Sequence, residues 1–534
     1  MELHRKTILG LVIGCAAIAL FAGFGDTSGS RAKVVDPNAT LIVAIDQPIG
    51  SLDPRVNHAS LNARPLWNLF EGLVTKTWYR GDTQLKLVPA LATTWTISKD
   101  RLTYTFNLRK GVKFSDGTPF NAAAMKFDFD TMFDSTSQFY YPAANSFDKG
   151  LVPTLASYAA PGPYTFRIVL NSPDGSLLDT LAVHQEFWAI SPTAIQKYGN
   201  AGMGSNPVGT GPFSMASWNP ATNVLVADRN DSYFRGPSKI KRLIMQTITD
   251  QSARTAALES RSVHIATNVL VDNATRWAGR KDIKLIIRQQ PTIKSCGLNA
   301  ESGPGTNKLF RQALSLAINR KRMNEVVYGG KGAVAHGFFP AASPAFDPKM
   351  PALQYNLAKA KQLMAQSGVP QGTKLTLETA SGDANATKAF ALLAEDLRAI
   401  GVNLTVNYTD GATYVKDLTT AVRPGLDGYC QTTQGTDTPS LFWYVWGRLG
   451  WPPGGYNSYH YLNPKLEAAF KRAQDAKDND AWLKAISDGN KAATDDFAGM
   501  FLIEDVQGFG EAGNVVWTPA AARDYMYYSA KVLK

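Results

Sequence analysis

The stretch Trp95–Phe120 constrains this chain more than any other. Leu102, Tyr104, Phe106 and Leu108 alternate with Thr103, Thr105, Asn107 and Arg109. That period of two predicts a strand with one face turned inward. Ser98-Lys-Asp100 is polar turn chemistry, so Trp95 and Ile97 are expected to pair back as a hairpin. Asp116-Gly117 forces a second turn, and Asn121 is placed to cap a helix whose Met125, Phe129, Met132 and Phe133 share one face.

The same stretch, W-x-I-S-x-D-x-L-T-Y-T-F-x-L-R-x-G-V-K-F-x-D-G-x-P-F-x-A, resembles the signature of the family 5 extracellular solute-binding proteins, the peptide- and nickel-type receptors of bacterial ABC importers. Further segments continue the resemblance: Ser51-Leu-Asp-Pro54, Asn206-Pro-Val-Gly-Thr-Gly-Pro-Phe213, and the amphipathic Leu309–Arg320, expected as one helix. It covers nearly all of 40–534. It implies an α/β, two-lobed periplasmic-binding-protein-like fold of the cluster C type with an extra inserted domain. The implied order begins with a signal peptide (1–32), the opening segment of lobe I (33–75) and inserted domain II (76–205). The middle segment of lobe I (206–290), lobe II (291–498) and the closing segment of lobe I (499–534) follow.

Length alone suits two or three domains. The leader reading has its own basis. A short charged start, Glu2–Lys6, precedes an apolar run from Ile8 to Phe24 and a polar stretch ending in small residues at Ser30 and Ala32. Cleavage near Ala32 ranks first. An uncleaved anchor ranks second, and lipid modification at Cys15 third. The expected location is periplasmic, with membrane anchoring left open.

Formal charge is +11, but Lys and Arg are scattered, so a solvated surface is preferred over a nucleic-acid site. Outside the leader only Cys296 and Cys430 remain; one disulfide is possible, and two buried free thiols are slightly preferred. In Asn206–Phe213, Pro212 and a missing third glycine exclude a dinucleotide loop, and the glycines are read as allowing a tight turn with positive φ. Arg64–Val74 reads as a helix, 135–165 as loops, Phe187–Ile190 as a strand, and Thr292–Asn299 as a strand crossing between lobes.

No H-E-x-x-H, P-loop or G-x-S-x-G occurs, and the six histidines never pair at ligand spacing. No enzyme, cofactor or metal site is expected. Residue 437 is an aspartate followed by Pro439, and the resemblance implies that Asp437 pairs with a ligand ammonium, although a turn or N-cap role is equally open. Trp443, Tyr444 and Trp446, with Trp451 nearby, are candidate pocket walls, although for any single Trp a core position is the better reading. Lys388, with Arg423 as rival, is the candidate partner for a ligand carboxylate. Asn57 and His58, after the Asp-Pro corner, are candidate hydrogen-bonding residues.

The expected function is a monomeric receptor that captures a peptide or peptide-like solute and delivers it to an ABC permease and ATPase complex. The alternative is the same role for a metal chelate, opine or oligosaccharide. An exported hydrolase or chaperone ranks below both.

Overall fold

Two long strands, Ile283–Leu298 and Gly499–Ala512, pair antiparallel and cross the molecule. The structure is a computed structural model and describes residues 34–56, 64–78, 85–420, 423–433, 439–452, 455–476, 478–519 and 526–534. The first crossing strand is longer than the expected 292–299 because Ile283, Leu285, Ile286 and Ile287 extend its apolar content backward. Between Gln289 and Ile293 its register with Gly499–Ala512 shifts. Pro291 lies there, and a proline cannot donate to the ladder.

Beyond Gly499–Ala512 the sheet continues through Ile265–Val269, Thr40–Ile45, Arg242–Thr247, Val224–Arg229 and Phe213–Asn219. Beyond Ile283–Leu298 it continues through Gly428–Thr433, Thr373–Ala380 and Val402–Thr409. In the first group Thr40–Ile45 runs parallel to both of its neighbours. Val269 is level with Gly508, and Ile265 with Glu511, so these strands end toward the middle of the crossing pair. In the second group Thr433 is level with Ile293, and the neighbouring strands run parallel to it. The carboxyl ends of Ile265–Val269, Thr40–Ile45 and Arg242–Thr247 on one side, and of Gly428–Thr433, Thr373–Ala380 and Val402–Thr409 on the other, therefore point toward the middle of the crossing pair, near residues 289–293 and 504–508.

Cys296 and Cys430 are directly opposite in this ladder and are joined by a disulfide. This corrects the preference for free thiols: strand register, which sequence spacing does not reveal, brings the two together with Cα atoms 4.0 Å apart.

A separate four-stranded sheet is built from Ala92–Ile97, Thr103–Leu108, Thr165–Leu170 and Leu155–Gly162. The hairpin forms as expected, with Trp95 level with Phe106 and Ile97 with Tyr104. Asn121 Oδ1 accepts from the Ala124 N–H at 2.9 Å and caps the helix Ala122–Phe133. Phe129 of that helix packs edge-on to Phe166.

Several expectations need correction. Arg64–Val74 forms only a 3-10 turn, Arg64–Asn68, before the strand Val74–Trp78. The carbonyls of Leu69, Gly72 and Leu73 accept from Gly211, Leu91 and Ala92 instead of continuing a helix. The supposed loops at 135–165 contain a helix, Pro142–Leu151, and the strand Leu155–Gly162. Phe187 ends a 3-10 turn rather than opening a strand. The supposed single helix Leu309–Arg320 ends at Ala317, and a second helix begins at Arg320. Finally, Gly209 and Gly211 do not have positive φ. Their need is spatial: a Cβ on Gly211 would lie 2.4 Å from the Leu69 carbonyl carbon.

Candidate ligand cleft

Open α/β sheets bind ligands outside the carboxyl ends of their strands, and here two sets of ends meet at the crossing pair. On the Gly428–Thr433 side the meeting point holds a buried ionic cluster. Lys294, on the first crossing strand, is fully buried. Its ammonium donates to Asp505 Oδ2 at 2.9 Å and to Asp383 Oδ2 at 3.1 Å. Tyr328 Oη donates to Asp505 Oδ1 at 2.6 Å, and Thr432 Oγ1 to Asp383 Oδ2 at 3.1 Å. Burial pushes the Lys294 pKa down, but Asp505 and Asp383 more than offset it and hold it above the ordinary lysine value. Asp383 caps the helix Ala384–Arg398 through Ala386 N–H, and its side chain remains 37% exposed. It is the open edge of a cluster with two carboxylates to one ammonium.

On the other side Asp46, directly after Thr40–Ile45, is buried. It accepts from Arg64 Nη1 at 3.0 Å, Thr267 Oγ1 at 3.1 Å and Asn268 Nδ2 at 3.2 Å. At the crossing itself Glu504 is buried and accepts from the Ala341 N–H at 3.0 Å. Burial pushes its carboxyl up to about 7.

The expected site residues are not drawn together among the described residues. Asp437, Asn57 and His58 lie outside them. Lys388 is exposed on the helix Ala384–Arg398. Arg423 is engaged by Asp417 at 2.8 Å and by Glu378 at 2.5 Å, so its charge is already balanced. Trp443 and Trp446 are buried, the first against Phe442 and Phe470, the second stacked on Tyr459 at 5.2 Å between ring centres. Tyr444 is half-buried, and its hydroxyl donates to the Gly150 carbonyl at 3.2 Å. Sequence reasoning missed Lys294, Asp383 and Asp505. One signal was present: Lys294 is the one charged residue in Ile293-Lys-Ser-Cys-Gly-Leu298, a segment otherwise apolar or small.

The fold and its converging strand ends define a solute-binding receptor, and the sequence comparison agrees. The family model for bacterial extracellular solute-binding proteins, family 5 (middle), matches residues 86–465, and the chain belongs to that family. Among relatives, the glutathione-binding protein GsiB of Shigella flexneri is 28% identical over 485 residues, covering 89% of this chain and 88% of that protein. GsiB of Escherichia coli K12 matches to the same extent. Two solved structures share the fold. DppA of Helicobacter pylori, in complex with the peptide STSA, has a TM-score of 0.77 at 22% identity and covers 93% of this chain and 98% of its own. NikZ of Campylobacter jejuni, in complex with Ni(L-His), has a TM-score of 0.75 at 20% identity and covers 92% and 99%.

Proposed function

We propose that the chain is the receptor of an ABC importer and that it captures a peptide or peptide-like solute through the ligand's ammonium group. The observation that carries this reading is the Lys294 cluster, where two carboxylates surround one lysine at the meeting of the strand ends. The surplus negative charge, with Asp383 as its open edge, complements a cation. The naming of GsiB as glutathione-binding and the peptide held by DppA support the same ligand class. Asp437, two residues before Pro439 in the segment that follows Gly428–Thr433, is the proposed second partner of that ammonium. Asn57 and His58, soon after Asp53-Pro54, are proposed as neutral hydrogen-bonding partners, and Lys388 as the partner of a carboxylate.

The proposed division of the chain is two lobes, with 33–75, 206–290 and 499–534 in the first, 291–498 in the second, and 76–205 inserted. The lobes close about the crossing strands by hinge motion, and the loaded receptor delivers its solute from the periplasm to a membrane permease and ATPase. Function is capture and release, with no bond made or broken.

Native mass spectrometry of the protein purified from its own host, followed by denaturation, identifies the retained solute. Amino-bearing peptides are expected, and Asp383→Asn and Asp437→Ala should each reduce the loaded fraction. A single solute lacking an amino group sinks the peptide reading.

A further inference from the structure

Two separate buried cores meet at Gly175. One belongs to the four-stranded sheet and includes Val152, Phe166, Leu170 and Leu177. The other includes Trp443, Trp446 and Trp482. A Cβ built on Gly175 would lie 2.8 Å from Trp482 Cδ1, 2.9 Å from Cγ and 3.0 Å from Cβ. Rotating the indole would not relieve this contact, because the Trp482 Cβ is itself in the way. The φ of Gly175 is outside the left-handed region, so its backbone does not require glycine. The neighbour does.

Both sides of this contact are held in place. Asp174 Oδ1 accepts from Ser176 N–H at 2.8 Å and from Ser176 Oγ at 2.6 Å, and the Asp174 carbonyl accepts from Tyr104 Oη at 3.0 Å. Opposite, Trp482 lies on the helix Asn479–Asp495, and that helix also presents Gly489 to the Trp443 ring; a Cβ there would lie 2.9 Å from Trp443 Cη2. Trp443 shares the short helix Leu441–Trp446 with Tyr444, whose hydroxyl reaches the Gly150 carbonyl. Trp482 and Tyr444 are thus mounted on one packed unit and grip the other core at two points, Gly175 and Gly150.

We propose that Trp482 and Tyr444 form a latch that holds the closed receptor, and that Gly175 is the notch that admits Trp482. The proposal rests on the two-lobed reading above. It makes residues distant from the strand ends determinants of how long a solute is held. Any outward swing of one core must pull the indole off Gly175 and break the Tyr444 hydrogen bond.

Small-angle X-ray scattering on the full chain, isolated from its host with its solute retained, tests the latch. Gly175→Leu is expected to give a larger radius of gyration than wild type, and Gly175→Ala a smaller shift in the same direction. Trp482→Ala, which removes the latch itself, is likewise expected to give a larger radius than wild type. Unchanged hydrogen-exchange protection of Thr103–Leu108 and Thr165–Leu170 establishes that the four-stranded sheet is intact; if Gly175→Leu loses it, Gly175→Ala carries the comparison. Identical radii for wild type and the folded glycine variants, compact or extended, overturn the latch. So does a folded Trp482→Ala variant that keeps the compact radius. The solute identified by mass spectrometry is independent of these outcomes, so the latch can fail while the receptor reading stands.

Discussion

Lys294 and Asp505 face each other from the two crossing strands, ammonium to carboxylate at 2.9 Å, with the lysine wholly out of solvent. A buried pair of this kind is weak evidence for net stability, yet removing one partner is costly because it strands the other. Here the stranded partners are two carboxylates.

Lys294→Met should therefore destabilise the protein by about 3–5 kcal/mol, read as a lowered unfolding midpoint in a denaturant titration. Adding Asp505→Asn should recover much of the loss, since the amide can still accept from Tyr328 while carrying no charge. A Lys294→Met protein with the wild-type midpoint would show that the cluster is solvated in solution.

Glu504 gives a pH signature. Burial raises its folded-state pKa to about 7 from the ordinary 4.5. Between those values the folded protein holds a proton that the unfolded chain has released, so stability falls as pH rises. The loss grows to about 3 kcal/mol by the time pH passes 7. Glu504→Gln keeps an acceptor for the Ala341 N–H and removes the titration. Its midpoint should be flatter than wild type from pH 4.5 to 7 and higher above 7. Parallel wild-type and variant curves would sink this assignment.

The disulfide closes a long loop, with 134 residues separating Cys296 from Cys430. Replacing both cysteines by alanine should cost about 2–4 kcal/mol, largely through a freer unfolded chain. Reductant should lower the wild-type midpoint toward that of the double variant and leave the double variant unmoved. Equal midpoints for oxidised wild type and the double variant would argue against a stabilising bond.

Local chemistry was legible in the sequence, and distant partnership was not. The hairpin of Trp95 and Phe106 and the Asn121 cap rest on alternation and on contacts within a few residues. Arg64–Val74 has a helical pattern, but Gly211 and Leu91 claim its carbonyls from elsewhere in the chain. Pro142 is a residue that often opens a helix, yet its Ser-, Pro- and Tyr-rich surroundings masked the helix it begins. The family and its α/β fold were legible because the resemblance runs through many fixed residues. The Lys294 cluster was not: its carboxylates are 89 and 211 residues away, and no spacing rule joins them. Trp443 and Trp446 were candidates for pocket walls by type, but core was the better reading for either one, and their rings are taken up by Phe442, Phe470 and Tyr459.

The Asn206–Phe213 motif supplies the last prediction. Gly211 donates its N–H to the Leu69 carbonyl at 2.9 Å, and an added Cβ would lie 2.4 Å from the Leu69 carbonyl carbon and 2.7 Å from the Phe70 nitrogen. Both are backbone atoms, which cannot turn aside as a side chain can. Gly211→Ala should destabilise by about 1–3 kcal/mol through overpacking. Gly150→Ala is the matched control: its φ is outside the left-handed region, and nothing lies within 4 Å of the added carbon. There the substitution should stabilise by about 0.4–1 kcal/mol by restricting the unfolded chain. Opposite shifts in thermal midpoint are the expected result. A Gly211→Ala midpoint at or above that of wild type would show that the close approach of Leu69 does not constrain this position.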